Sequence, residues 1–137
     1  MNLFNIFDIA GSGMSAQTVR LNTTASNLAN ADSVSTTADQ AYRSRQPVFE
    51  TILEDRLNGR TGGGVRVTEI TQTGLPPTRE YSPGHPLADE EGYLYRSNVN
   101  IVEEMTNMIS ASRTFQNNVE VINTSRELLL RTLSMGR

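Results

Sequence analysis

Residues 99–135 read VNIVEEMTNMISASRTFQNNVEVINTSRELLLRTLSM, and this stretch decides the fold. Met108, Phe115, Ile122 and Leu129 recur every seven residues. A companion line of Met105, Ser112, Val119, Arg126 and Leu133 is polar at Ser112 and Arg126. Heptad-like spacing of this kind predicts a helix with an apolar seam. Asn100 is a good N-cap, and Glu103 three residues later completes a capping-box pattern. Glu103 and Glu104 sit in the first turn, Arg131 and Arg137 toward the far end, and Gly136 is a stop signal. Such a helix is about 50 Å long at about 1.5 Å per residue, too long for a small globule to cover.

The only other segment of comparable reach is at the opposite end of the chain. Between residues 3 and 31 only Asp8 and Arg20 are charged. Phe7, Met14, Leu21 and Leu28 again repeat every seven residues, with small Gly11, Thr18 and Ala25 on one neighbouring line and Ala10, Gln17, Thr24 and Ala31 on another. This predicts a second helix, about 40 Å long, that packs closely on others. Gly11 and Gly13 each weaken it by about 1 kcal/mol relative to Ala, so it needs a partner. The expected fold is therefore mainly α: long N- and C-terminal helices paired as a coiled-coil-like hairpin. Pairing them closes a loop of roughly 70 residues at a cost of several kcal/mol. The remaining helix surface, rich in Asn, Thr, Ser and Ala, suits contact with other subunits, so stability should be inseparable from assembly.

The middle of the chain is different. Gly, Pro, Asp and Ser punctuate residues 32–98, where seven arginines face ten acids. Gly62, Gly63 and Gly64 predict a flexible turn. Val65, Val67 and Ile70 predict a short strand, and Tyr42 to Phe49 another, held to an edge by Pro47. Pro76-Pro77 and Ser82 to Pro86 predict turns. The expected organisation is an N-terminal helix over 1–32, a small β-hairpin or irregular insert over 33–98 and a C-terminal helix over 99–137, together forming one domain.

Composition excludes much chemistry. The 137 residues carry a net charge of −3, with 36% apolar and 20% charged residues. That argues against a nucleic-acid binder relying on a basic face. All twelve basic residues are Arg, and there is no Cys, so thiol nucleophiles and thiolate metal sites are excluded. No stretch approaches a membrane span, and the N-terminus lacks the basic region of a secretory signal. His85, the one histidine, lies in a Gly-His-Pro turn without a Gly-x-Ser-x-Gly elbow. Asp89, Glu90 and Glu91 lack the spacing of a calcium loop, and Gly62-Gly63-Gly64 lacks the Lys of a phosphate loop. Glu103 and Glu104 point about 100° apart on a helix and do not form a facing acid–base pair. No catalytic, cofactor or metal site is expected. Phe4, Ile6, Phe7 and Ile9 have no basic flank for anionic lipid and are read as a protein-facing seam. The Met105, Met108, Phe115 stripe is read likewise.

Three stretches resemble bacterial flagellar basal-body rod proteins, within the flagellar axial rod and hook family. They are Thr24 to Asp32, containing Ser26-Asn27-Leu28-Ala29-Asn30; Pro83 to Asp89 followed by Gly92-Tyr93; and Asn98 through Glu104-Met105 to Arg113, continuing to Asn123-Thr124. The resemblance spans nearly the whole chain. It implies a structural subunit of the proximal rod, a hollow drive shaft crossing the periplasm, with the terminal helices forming an inner coiled-coil tube. It implies export through the flagellar type III apparatus without a cleaved signal. The implied neighbours are further copies and the rod proteins FlgB, FlgF, FlgG and FliE, with no nucleic acid and no membrane insertion. Two further readings stay open: a needle-like secreted subunit, which shares the paired helices but normally lacks a β-like insert and the Pro83 to Asp89 segment, and a soluble helical adaptor, which a stable, fully folded monomer would favour. A small hydrolase or metal enzyme would have to depend on His85.

Overall fold

The order of elements is α1 (Leu3–Ala29), β1 (Val34–Ser35), β2 (Arg45–Leu53), β3 (Gly63–Gln72), β4 (Thr78–Tyr81), β5 (Tyr93–Arg96) and α2 (Ile101–Met135). This computed structural model describes residues 3–53 and 63–136. Gly62 and Arg137 lie outside the described residues. The chain has a helix at each end and β structure between, with about half of its residues helical.

α2 begins as its sequence predicts. Asn100 is extended, and its side chain accepts hydrogen bonds from the backbone N–H of Val102 at 3.1 Å and Glu103 at 3.3 Å, satisfying two of the donors a helix start leaves open. Gly136 is the C-cap, with φ of −92°. Among the described residues the last turn holds no basic side chain; Arg131 lies a turn earlier, 3.9 Å from Glu127.

α1 and α2 pack on each other. Their cross-contacts fix the sense: Gly13 lies against Asn118, Arg20 donates to Asn107 at 2.9 Å, and Asn27 donates to Glu104 at 2.9 Å. Numbers rise along one helix as they fall along the other, so the pair is antiparallel. The core among the described residues is made of small side chains: Ala10, Ala16, Ala31, Ala41, Ala111 and one large one, Leu94.

The insert contains more sheet than the sequence suggests. β2 and β3 form an antiparallel ribbon from Arg45↔Gln72 to Leu53↔Gly63, with a register shift between Val48 and Phe49. Pro47 stands opposite Ile70 in this two-stranded sheet, where each strand has a free edge and a missing N–H can be tolerated. Gly63 and Gly64, expected in a turn, belong to β3. A Cβ on Gly64 would lie 3.2 Å from Ser12 Oγ, so glycine here lets the ribbon approach α1. Ser12 Oγ accepts from Val65 N at 3.2 Å and donates to Ile9 O at 2.8 Å.

A second sheet, of order β1-β5-β4, is antiparallel throughout. β4 and β5 enclose the Ser82–Pro86 turns. Gly92 closes this hairpin with φ of +83°, a region that only glycine enters without strain. Tyr81 and Tyr93 meet edge to face at 5.0 Å, and Arg79 stacks on Tyr93 while pairing with Glu91 at 2.9 Å.

Candidate functional site

A polar knot joins both helices to the insert. Asn27 is 1% exposed and is the largest fully buried side chain among the described residues. Its Nδ2 donates to Arg45 O at 2.8 Å, Glu104 Oε1 at 2.9 Å and Ser44 Oγ at 3.3 Å. Its Oδ1 accepts from Arg45 N and from the Tyr42 hydroxyl, both at 2.9 Å. Ser44 Oγ also donates to Glu104 Oε1 at 3.2 Å. Glu104 and Ser44 are themselves buried. The knot continues outward: Ser44 N donates to Asn98 Oδ1 at 2.7 Å, Ser44 O accepts from Thr73, and Ser26 Oγ lies 3.3 Å from the Tyr42 hydroxyl. Asn27 thus holds both backbone polar groups of Arg45, as a neighbouring strand would. Buried polar groups must be paired; here each is, and the pairing has one geometry.

Several motif residues therefore meet in space. Ser26 and Asn27 lie in this knot with Glu104. Asn30 turns back on its own helix, donating to Ser26 O at 2.8 Å. Leu28 is half-buried, while Ala29 and Met105 are exposed. The sequence places Tyr42, Ser44 and Arg45 in a strand over Tyr42 to Phe49, whereas β2 begins at Arg45, and no sequence signal marks their part in the knot.

The intramolecular seam is made of smaller residues than the heptad lines suggest. On α1 the buried residues are Ala10, Ala16, Thr23, Thr24 and Asn27, with Ala31 just past its end; on α2 they are Glu104, Ala111 and Ser125. Phe7, Met14, Leu21 and Leu28, with Met108, Phe115, Ile122 and Leu129, are half-buried beside them. Thr18, Ala25, Met105, Val119 and Leu133 are exposed. Gly11 has nothing within 4 Å of where a Cβ would stand, whereas a Cβ on Gly13 would come within 2.9 Å of Asn118 Nδ2. The companion lines thus lie one residue outward from the chain's own contact. Small groups let the two backbones approach and leave the bulkier ones facing out.

The outer surface of α2 is mixed, with apolar side chains standing among exposed Arg113, Glu120, Glu127 and Arg131. Val102, Met105, Ile109, Val119, Val121, Leu130 and Leu133 are all exposed. Arg20 and Arg45 border a cleft of about 300 Å³ with Phe49, Glu103 and Asn107. The groups that could suggest chemistry serve the turns. His85 Nδ1 accepts from Leu87 N at 3.1 Å, and Asp89 Oδ1 accepts from Glu91 N and Tyr93 N. Among the described residues there is no cluster of three potential metal ligands, and no helix is long and apolar enough to cross a membrane.

Comparison with known proteins falls on the same features. Residues 7–35, covering most of α1, match the family described as flagella basal body rod protein. Residues 90–135, covering α2, match the family described as flagellar basal body rod FlgEFG protein C-terminal. The chain is 50% identical over its full 137 residues to a flagellar basal-body rod protein FlgC of Yersinia enterocolitica, and 49% identical over 137 residues to that of Salmonella typhimurium, in each case covering all of both chains. It is 36% identical to a FlgC of Buchnera aphidicola, again over the full length of both.

Proposed function

Because this chain belongs to the FlgC family of flagellar basal-body rod proteins, and is accordingly a structural subunit of the basal-body rod and not an enzyme, we propose that it polymerises through its terminal helices. The carrying observation is the exposed apolar side chains of α2: Val102, Met105, Ile109 and Val119 stand in solvent along a helix that packs on α1, and Leu130 and Leu133 do so near its C-terminal end. Exposed apolar surface of this extent marks a protein contact. In this reading Met105, Val119, Leu133, Thr18, Ala25 and Gly11 meet neighbouring subunits, and the half-buried residues from Phe7 to Leu28 and from Met108 to Leu129 complete each seam. The helices pair as a coiled-coil-like hairpin over 1–32 and 99–137, and the β insert over 33–98 faces outward.

Assembly with other basal-body components follows from the family. The finer placement is the proximal rod, beside FlgB, FlgF, FlgG and FliE, with export through the flagellar type III apparatus, no cleaved signal and a hollow shaft that passes torque across the periplasm. The small core supports it: a chain that buries mainly alanine is marginal alone and gains stability from neighbours.

A clean deletion in the source organism tests this, scored by swimming and by electron microscopy of basal bodies. Non-motile cells with membrane rings but no rod, hook or filament are expected. Motile cells with complete basal bodies overturn the reading.

A further inference from the structure

Glu104 is 4% exposed, yet half of its carboxylate is unused. Oε1 accepts from Asn27 and Ser44. Oε2 accepts no hydrogen bond among the described residues, and it is not sealed from solvent, because Gln17 Oε1 is the one sealed side-chain atom there without a partner. Its outlet is the cleft of about 300 Å³ that Glu104 lines with Glu103, Thr24 and Phe49. Glu103 is exposed at the same cleft. Arg20 and Arg45 line it too, but neither belongs to an ion pair among the described residues. Arg20 donates to Asn107 Oδ1 at 2.9 Å, and Arg45 stands over the Tyr42 ring, 5.5 Å from its centre. Two carboxylates therefore share a cleft with no counter-ion in contact, and a charge as buried as Glu104 calls for one.

We propose that the cleft receives the Arg113 side chain of a second copy of the chain, which names one contact within the polymerisation reading above and rests on it. A guanidinium entering the cleft finds Glu104 Oε2 and Glu103 as acceptors for charge-assisted hydrogen bonds and the Phe49 ring as a surface to stack on. Every side-chain cation except His85 is arginine. Outside the cleft and the neighbouring Arg43, the arginines without an ion pair among the described residues are Arg113 and Arg126, both exposed on α2. Arg126 stands only about 40° around the helix from Glu104, on the side of its own cleft. Arg113 follows Glu104 by nine positions and points about 180° away. No acid lies three or four positions from Arg113, so its own helix offers it no partner. Cleft and arginine thus look in opposite directions from one α2 and lie about 14 Å apart along its axis. One chain cannot join them, but a second copy standing beside it can. The two surfaces differ, so the contact is heterologous and repeats from subunit to subunit instead of closing as a dimer.

Charge exchange tests this. R113E lies at an exposed position, so the isolated chain should keep its circular dichroism spectrum while cells lose swimming. E103R with E104Q inverts the cleft and leaves an amide oxygen for Asn27 and Ser44; these cells should not swim either. One chain carrying all three substitutions restores opposite charges at the contact, and swimming is expected to return. Swimming R113E cells overturn the contact, as does a folded triple variant that stays non-motile, or restoration by R126E in place of R113E. A photo-crosslinking residue at Ile109, exposed one turn from Arg113, reads the contact with every charge in place. A covalent dimer joined to residues 45–49 of the second copy is expected, and dimers joined only elsewhere, or none, overturn the contact. These failures leave the rod reading intact; motility with the gene deleted removes that reading itself.

Discussion

Asn27 Nδ2 and Glu104 Oε1 stand 2.9 Å apart with both side chains buried, across 77 positions of sequence. One residue comes from each terminal helix, and the same amide grips both backbone groups of Arg45 at the mouth of the insert. This one contact fixes the register of α1 on α2 and ties both to the β ribbon.

Removing the amide should cost more than altering the acid conservatively. Asn27→Ala strands Glu104 and the Arg45 backbone, and burying such unpaired groups costs about 1–3 kcal/mol each. Glu104→Gln retains an acceptor oxygen for Asn27 and Ser44, so a loss below about 1 kcal/mol is expected. Urea denaturation of the isolated chain, or of an assembled rod if the chain alone is too weak, checks the order. Equal losses would mean that the acceptor at residue 104 is not what matters.

The two glycines of α1 should respond oppositely. Gly11 has open space where a Cβ would be, and Ala there gains about 1 kcal/mol of helix propensity. Gly13→Ala brings its Cβ against Asn118, so part or all of that gain is lost as Asn118 shifts. Thermal melts followed by circular dichroism compare them. A Gly13→Ala chain more stable than Gly11→Ala would place the close approach elsewhere.

Gly92→Ala should loosen the β4–β5 hairpin. The position has φ of +83°, and a Cβ would lie 3.0 Å from Pro83 and 3.1 Å from the Tyr81 ring. A non-glycine residue in such a conformation costs about 1–3 kcal/mol. Faster amide exchange at Tyr93 and Ser82, with the α1–α2 region unchanged, is the expected signature.

Surface and seam substitutions on α2 should separate folding from assembly. Leu133→Asp lies in solvent and should leave the stability of the isolated chain within about 0.5 kcal/mol, yet abolish swimming. Phe115→Asp and Leu21→Asp, half-buried beside the helix seam, should lower stability and also abolish assembly, since burying an unpaired charge is costly. Swimming cells with Leu133→Asp would remove that residue from the subunit contact.

The two terminal helices were legible because their signals are local: seven-residue spacing, an Asn100 cap and few interruptions. The three-stranded sheet was not. Its strands span two to four residues, and Val34 pairs with Arg96 across most of the insert, too short and too distant to leave a pattern. The large heptad residues of both helices are half-buried, and of the small lines beside them the one through Ala10 and Thr24 is buried at those positions. Periodicity weights large side chains, while the buried residues of the two helices include the small Ala10, Thr24, Ala111 and Ser125. Asn27 and Glu104 carry no apolar signal at all; what marked them was resemblance, and their role emerges only where the helices cross.

The β2–β3 ribbon is fastened to α1 at two places, through Asn27 to Arg45 and through Ser12 to Val65. These ties are fifteen residues apart on the helix, about 22 Å along its axis. A helix fixed in this way to a separate ladder of hydrogen bonds cannot bow without stretching or shearing that ladder. The ribbon thus acts as a splint, giving each subunit a flexural stiffness that a bare pair of small-residue helices would lack.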